Sequence, residues 1–170
     1  MRTKARARQA NDFDYLLPDT PLGTLTLSFS LKGLTALTYM GAESMAPLVS
    51  PPLSLAAWVE TAKNELAQYF AGAHSPFSSL PLDPQGTGFQ LRVWEELRKI
   101  PWGATISYKE LAIRAGSPRG FRAVGQANGA NPIPIIIPCH RVINADGSLG
   151  GYSSGLERKR WLLRHEGVKF

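Results

Sequence analysis

The apolar residues of this 170-residue chain change their period partway along, and that change limits the fold to two differently built halves. Within residues 14–40, Leu25, Leu27 and Phe29 alternate with Thr24, Thr26 and Ser28. A period of two places one face of a strand in a core and the other in water. Lys32-Gly33 supplies a turn, and 34–40 forms a returning strand. After a Pro-rich loop over 47–52, Leu55, Trp58, Val59, Ala62, Leu66, Tyr69 and Phe70 recur at helical spacing, and Gly72 stands where the helix should end. This half predicts a small sheet with a helix packed on it.

Over 73–88 the composition shifts to Ser, Pro and Gly, which predicts a linker. Beyond it the spacing is helical. Phe89, Val93, Leu97 and Ile100 share a face that stops at Pro101, and Tyr108, Leu111, Ala112 and Ala115 mark a second helix over 107–115. Gly116 ends that helix. Ser117 as N-cap and Pro118 in the first turn open a third, which runs to about residue 128. Two short helices around a Gly-containing turn fit either a helix-turn-helix or an ordinary helical hairpin. The basic balance, with Arg119 and Arg122 on the second helix, favours the DNA-binding form. A final helix spans 156–165 and ends at Gly167.

Cys139 is the only cysteine. It can form no intramolecular disulfide, and His74, His140 and His165 have no zinc-ligand spacing around it, so no metal site is expected. A lone cysteine is commonly an inert buried hydrophobe. Here, however, an apolar run, Ile135-Ile136-Ile137, is stopped by Pro138 and followed by Cys139 and His140. That pattern predicts an extended segment ending in a turn that presents a thiol beside an imidazole. The glycine-rich stretch 150–155 lacks the Walker lysine and is no phosphate cradle. Net charge is +6 and the sequence pI about 9.7, a balance that favours a polyanionic partner, nucleic acid first. Residues 1–11 are basic without the apolar core of a secretory signal and are expected to be a disordered arm. No apolar run is long enough for a transmembrane helix, and an unpaired cysteine fits a reducing compartment.

These motifs converge. The block Ile137-Pro-Cys-His-Arg-Val142, preceded by Asn131-Pro132 and by Arg122-Ala-Val-Gly125, resembles the O6-alkylguanine-DNA alkyltransferases. The likeness extends through Ile106-Ser-Tyr108, Gly151-Tyr-Ser153 and Trp161-Leu-Leu-Arg-His-Glu-Gly167, and more loosely to Pro21-Leu-Gly23. The resemblance implies a ribonuclease H-like α/β domain over 12–76, a linker over 77–88, and a mainly α domain with a winged-helix-like helix-turn-helix over 89–170. It implies direct-reversal repair: a minor-groove binder of double-stranded DNA flips the damaged nucleotide and moves an alkyl group irreversibly from O6 of guanine, and from O4 of thymine, to Cys139. No cofactor and no membrane partner are implied. A monomer, cooperative on DNA, is expected, located in the cytoplasm of a prokaryote or the nucleus of a eukaryote.

Roles follow for named residues. An ordinary thiol is only a few per cent ionised at neutral pH, so Cys139 needs a base. The resemblance implies His140 as that base, acting through a water, with Glu166 orienting the imidazole. It implies Asn131 as the brace of the active-site turn and Tyr108 as the donor to the leaving guanine. Arg122 is implied as the finger that fills the gap left by the flipped nucleotide, whose extrusion costs a few kcal/mol. Lys109, Gly120, Phe121 and Gly125 complete the DNA surface, and backbone groups at Val142 and Ser153 read the base beside Tyr152. Phe121 either turns into the core or wedges at the minor groove. Three other classes are weighed and disfavoured. A silent lesion binder would carry another residue, often Trp, in place of Cys139. A Cys-His-Glu hydrolase needs an acyl substrate and no DNA-binding half. A redox-sensing transcription regulator needs a sensing domain.

Overall fold

The computed structural model describes residues 13–40, 51–74 and 77–170. The expected basic arm over 1–11 and residues 47–50 of the expected loop lie outside the described residues. The chain divides into two compact units, 1–85 and 86–170.

In the first unit, β1 (Phe13–Thr20), β2 (Gly23–Ser30) and β3 (Gly33–Tyr39) form an antiparallel sheet in sequence order. The register pairs Leu25 with Tyr39, Leu27 with Leu37 and Phe29 with Leu34. Leu25, Leu27 and Phe29 are therefore on one face, with no surface exposed. The helix α1 (Leu53–Phe70) buries Leu55, Val59, Ala62, Leu66 and Tyr69, a stripe at helical spacing. Each of the buried Leu and Val side chains contributes on the order of 1.5–3 kcal/mol by leaving water.

Part of the expected linker belongs to this unit. Phe77 and Leu80 are 4% exposed. The Leu34 amide donates to the Pro81 carbonyl at 2.9 Å, and the Asp83 amide to the Leu34 carbonyl at 2.8 Å. Ser30 Oγ reaches Asp83 Oδ2 at 2.8 Å. The segment thus closes the open edge of β3. Its Ser/Pro composition marks irregular backbone but does not distinguish a packed segment from a free one.

In the second unit α2 (Gly88–Arg98) opens on a capping box between Thr87 and Gln90. Two residues, β4 (Ile106–Ser107), lead straight into α3 (Tyr108–Arg114); α4 is Phe121–Gly129 and α5 is Leu156–His165. The core joins Val93, Leu97, Leu111, Val124, Ile133 and Leu162. The expectation for Ser117 and Pro118 is corrected. The Ser117 amide closes α3 by donating to the Ala112 carbonyl at 2.8 Å, with Gly116 at φ 71°. Residues 117–120 then form a turn, and α4 starts at Phe121 with Gly120 as its N-cap.

The extended segment expected before Cys139 is corrected as well. Residues 133–137 turn back on themselves: the Ile137 amide donates to the Ile133 carbonyl at 2.9 Å, and Ile135 takes φ 74°. Cys139–Arg141 is a single 3-10 turn. It feeds β5 (Val142–Ile143), which pairs in parallel with β4, Ile106 beside Val142 and Ser107 beside Ile143. That four-residue ladder fixes the start of α3 against the exit of the cysteine turn. Among the described residues no helix is long and apolar enough to cross a membrane.

Gly33 tests the closed edge of β3. It has φ 147°, and a Cβ there would lie 2.3 Å from the Pro81 carbonyl oxygen. Gly33→Ala is expected to destabilise the first unit by about 2 kcal/mol in urea unfolding; an unchanged midpoint would show that 81–83 is not fastened there.

Candidate active site

Cys139 begins the 3-10 turn and is 3% exposed. The backbone before it is tied by Asn131, whose Nδ2 donates to the Ile137 carbonyl at 2.7 Å while its Oδ1 accepts from the Ile133 amide at 3.0 Å. This Asx turn holds the five-residue bend 133–137 in place. Burial pushes the Cys139 thiol up; contact with the Asn131 side chain, the charge of Lys159 and contact with Tyr152 oppose it. The resting residue is therefore a thiol.

The next two residues bind one carboxylate. His140 has no exposed surface, and its Nε2 lies 2.7 Å from Glu166 Oε1. Arg141 Nε donates to Glu166 Oε2 at 2.8 Å and its Nη2 to Oε1 at 3.0 Å, while Nη1 donates to the Ile100 carbonyl at 2.5 Å. Glu166 caps the C-terminus of α5, where Gly167, at φ 78°, turns the chain away. Burial alone would raise the Glu166 pKa, but the hydrogen bond and charge of His140 and those of Arg141 hold it down to about 2. An ionised carboxylate only accepts, so His140 Nε2 carries the hydrogen. Burial lowers the His140 pKa against the pull of Glu166, so the ring is neutral at pH 7. Its Nδ1 is then a bare lone pair, buried, with no hydrogen-bond partner among the described residues.

Beside the cysteine turn lies a cavity of about 340 Å³ lined by Tyr108, Gly125, Asn128, Gly129, Gly151, Tyr152 and Ser153. Tyr108 opens α3, half-buried, with its hydroxyl 3.5 Å from the Gly151 carbonyl. Burial, then the charge of Cys139, raises its pKa, so it stays a proton donor. Asn128 Nδ2 donates to the Cys139 carbonyl at 3.4 Å, so the cavity wall and the Cys139 peptide are in contact.

The structure brings Cys139, His140, Glu166, Asn131, Tyr108, Val142, Tyr152 and Ser153 into this one region of the second unit. Arg122, Phe121 and Lys109 are exposed. Phe121 is 53% exposed under the Arg122 guanidinium, 5.9 Å from its ring centroid, so the inward alternative is excluded. Gly120 has a local reason to be glycine, since a Cβ would lie 2.2 Å from Ser117 Oγ. Gly125 has none: a Cβ would meet Tyr108 at an ordinary 3.8 Å. Sequence reasoning assigned no role to Arg141, Asn128 or Lys159. Arg141 lies inside the recognised motif, and its position next to His140 was the available signal. Among the described residues no group of three or more potential ligands could hold a metal.

Comparison with known proteins adds to this geometry. Two family models match in succession: 6-O-methylguanine DNA methyltransferase, ribonuclease-like domain, over 14–84, and its DNA binding domain over 88–168. A methylated-DNA–protein-cysteine methyltransferase of Methanosarcina barkeri is 43% identical over 152 residues, 89% of this chain and 96% of the relative. One from Salmonella typhimurium is 53% identical over 104 residues, 61% of each chain. A crystal structure of Mycobacterium tuberculosis OGT in complex with DNA superposes with TM-score 0.77 at 44% identity, covering 90% of this chain and 91% of that one.

The buried carboxylate makes stability depend on pH. Glu166 titrates at about 2 in the fold against 4.5 ordinarily, so the unfolded chain takes up its proton first on acidification. That contributes about 3 kcal/mol above about pH 5, lost as pH falls toward about 2. His140 acts in the same direction at higher pH, because the unfolded ring protonates near 6.5 and the buried ring resists. Urea unfolding should show stability falling on acidification, and Glu166→Gln should lose about 3–5 kcal/mol at pH 7 because it strands the Arg141 charge. A Glu166→Gln chain as stable as the native would contradict this.

Proposed function

The chain belongs to the 6-O-methylguanine DNA methyltransferase family, and from that premise we propose that it repairs alkylated DNA by taking the alkyl group onto Cys139. The observation that carries the proposal is the lone buried thiol one residue before a neutral imidazole whose Nε2 is fixed on an ionised carboxylate. That arrangement can remove one proton and needs no cofactor to do so.

The helices α3 and α4 form a helix-turn-helix, and α4 enters the minor groove with Phe121 and Arg122 foremost. Arg122 fills the gap as the damaged nucleotide turns out of the stack, and its planar cation offsets part of the few kcal/mol of lost stacking. The purine occupies the cavity beside Tyr108, Tyr152 and Ser153. His140 Nδ1 takes the Cys139 proton through a bridging water, and Glu166 steadies the imidazolium. A sulfur lone pair forms the S–C bond, the C–O6 bond breaks, and its electron pair stays on the guanine. Tyr108 donates a hydrogen bond to the purine and helps it accept that charge. The proton from sulfur ends on the released guanine. The thioether has no leaving group for water to displace, so each molecule reacts once. O4-alkylthymine, which presents the same alkyl–oxygen bond, is accepted as a second substrate.

Intact-mass measurement after mixing with duplex DNA containing O6-methylguanine is expected to show one added methyl, mapped to Cys139; no gain in mass would overturn the proposal. Arg122→Ala should slow repair in duplex by about tenfold or more while transfer from free O6-benzylguanine changes little. Equal losses on both would remove the finger role.

A further inference from the structure

Asn128 lies on the buried face of α4 with Val124 and Ala127 and is 4% exposed. That place in a helix ordinarily takes an apolar residue, since an amide buried without partners costs stability. Here the nitrogen is engaged and the oxygen is not. Nδ2 donates to the Cys139 carbonyl at 3.4 Å, while Oδ1 is buried with no hydrogen-bond partner among the described residues. A leucine, branched at the same carbon, would cover the helix face without stranding an oxygen, so packing alone does not call for Asn128.

The amide has a second neighbour. Asn128 and Tyr108 line the cavity together. Burial, then the charge of Cys139, pushes the Tyr108 hydroxyl up, and contact with the Asn128 side chain opposes that rise. Only a donor to the tyrosine oxygen lowers it; a carbonyl oxygen accepting from the hydroxyl would raise it. The Cys139 carbonyl dictates the same orientation. A carbonyl cannot donate, so Nδ2 and not Oδ1 must face it, and its second hydrogen is left for Tyr108. The tyrosine ring has little room to move. Gly150, at φ 65°, passes so near that a Cβ there would lie 3.1 Å from Tyr108 Cε2 and 3.3 Å from the hydroxyl oxygen. Rotation of the O–H bond is the freedom that remains. With an N–H on its lone pair, the hydroxyl turns its hydrogen away from Asn128, toward the Gly151 side of the cavity. The Gly151 carbonyl, at 3.5 Å, holds that hydrogen only weakly.

We propose that Asn128 is a positioning residue for Tyr108: its amide, fixed by the Cys139 carbonyl, engages the lone pair of the tyrosine oxygen and directs the hydroxyl hydrogen into the cavity, where it donates to the departing base. The inference rests on reading Tyr108 as the donor to that base. Asn128 acts through the tyrosine rather than on the sulfur. One side chain thereby joins the peptide of the residue that takes the alkyl group to the hydroxyl that helps release it.

The test is a double-mutant cycle of Asn128→Leu and Tyr108→Phe, read by single-turnover transfer from free O6-benzylguanine, which separates affinity for the base from the rate of transfer. Asn128→Leu should slow transfer about threefold with base affinity nearly unchanged, and raise the Tyr108 pKa, followed by ring-carbon NMR, by about half a unit. In a Tyr108→Phe chain the same substitution should cost nothing further. An unchanged rate in Asn128→Leu, or an equal loss with and without the tyrosine hydroxyl, overturns the proposal. A second measurement leaves Asn128 in place. In chain carrying nitrogen-labelled asparagine, both side-chain amide protons of Asn128 should resonate as hydrogen-bonded, and Tyr108→Phe should shift one and spare the other. Identical amide signals in the two chains overturn it. The NMR measurements use no alkyl donor, so failure of methyl transfer by the native chain would sink the functional reading separately.

Discussion

The second unit is organised around one carboxylate. Glu166, at the C-terminal end of α5, is where a helix places negative charge least comfortably. It stays ionised because two consecutive residues of the cysteine turn, His140 and Arg141, both bond to it. Breaking such a buried cluster strands a charge, which costs more than the cluster contributes when intact. The same bonds decide the chemistry. Glu166 dictates that His140 donates through Nε2, and so leaves Nδ1 as the basic nitrogen. Arg141 anchors the cluster to the end of α2 through the Ile100 carbonyl. One contact set fixes the turn, the tautomer and the helix end together.

Cys139 and Tyr108 are tied together by very little backbone. The β4–β5 ladder is two residues on each side, yet Tyr108 follows it directly and Cys139 precedes it by three positions. A change in either strand bears on both Tyr108 and Cys139. The neighbouring Asx turn at Asn131 and the capped end of α5 serve the same purpose from the other sides.

Much of this was legible in the sequence, and the rest was hidden for physical reasons. Period-two alternation at Leu25, Leu27 and Phe29 is unambiguous because one sheet face is buried along its whole length. Gly72, Gly116 and Gly167 marked helix ends, and each takes positive φ. By contrast, Ile135-Ile136-Ile137 suggested extended chain, since an apolar β-branched run says only that it is buried. What bends it is a side-chain bond from Asn131 to Ile137, and no local pattern encodes that. Two-residue strands have no periodicity to detect. The burial of Lys159 depends on three carbonyls gathered from 142–151, and nothing along α5 itself marks it. Phe121 was undecidable because it begins α4, where the phase of Val124, Ala127 and Asn128 points inward but the core has already ended.

The account turns on His140 resting as a neutral ring with its hydrogen on Nε2. Nitrogen NMR on isotope-labelled histidine reads that state directly. At neutral pH the account predicts a protonated, strongly hydrogen-bonded Nε2 and an unprotonated Nδ1 for His140, with the signal disturbed in Glu166→Gln. A doubly protonated ring, or a proton on Nδ1, would contradict it.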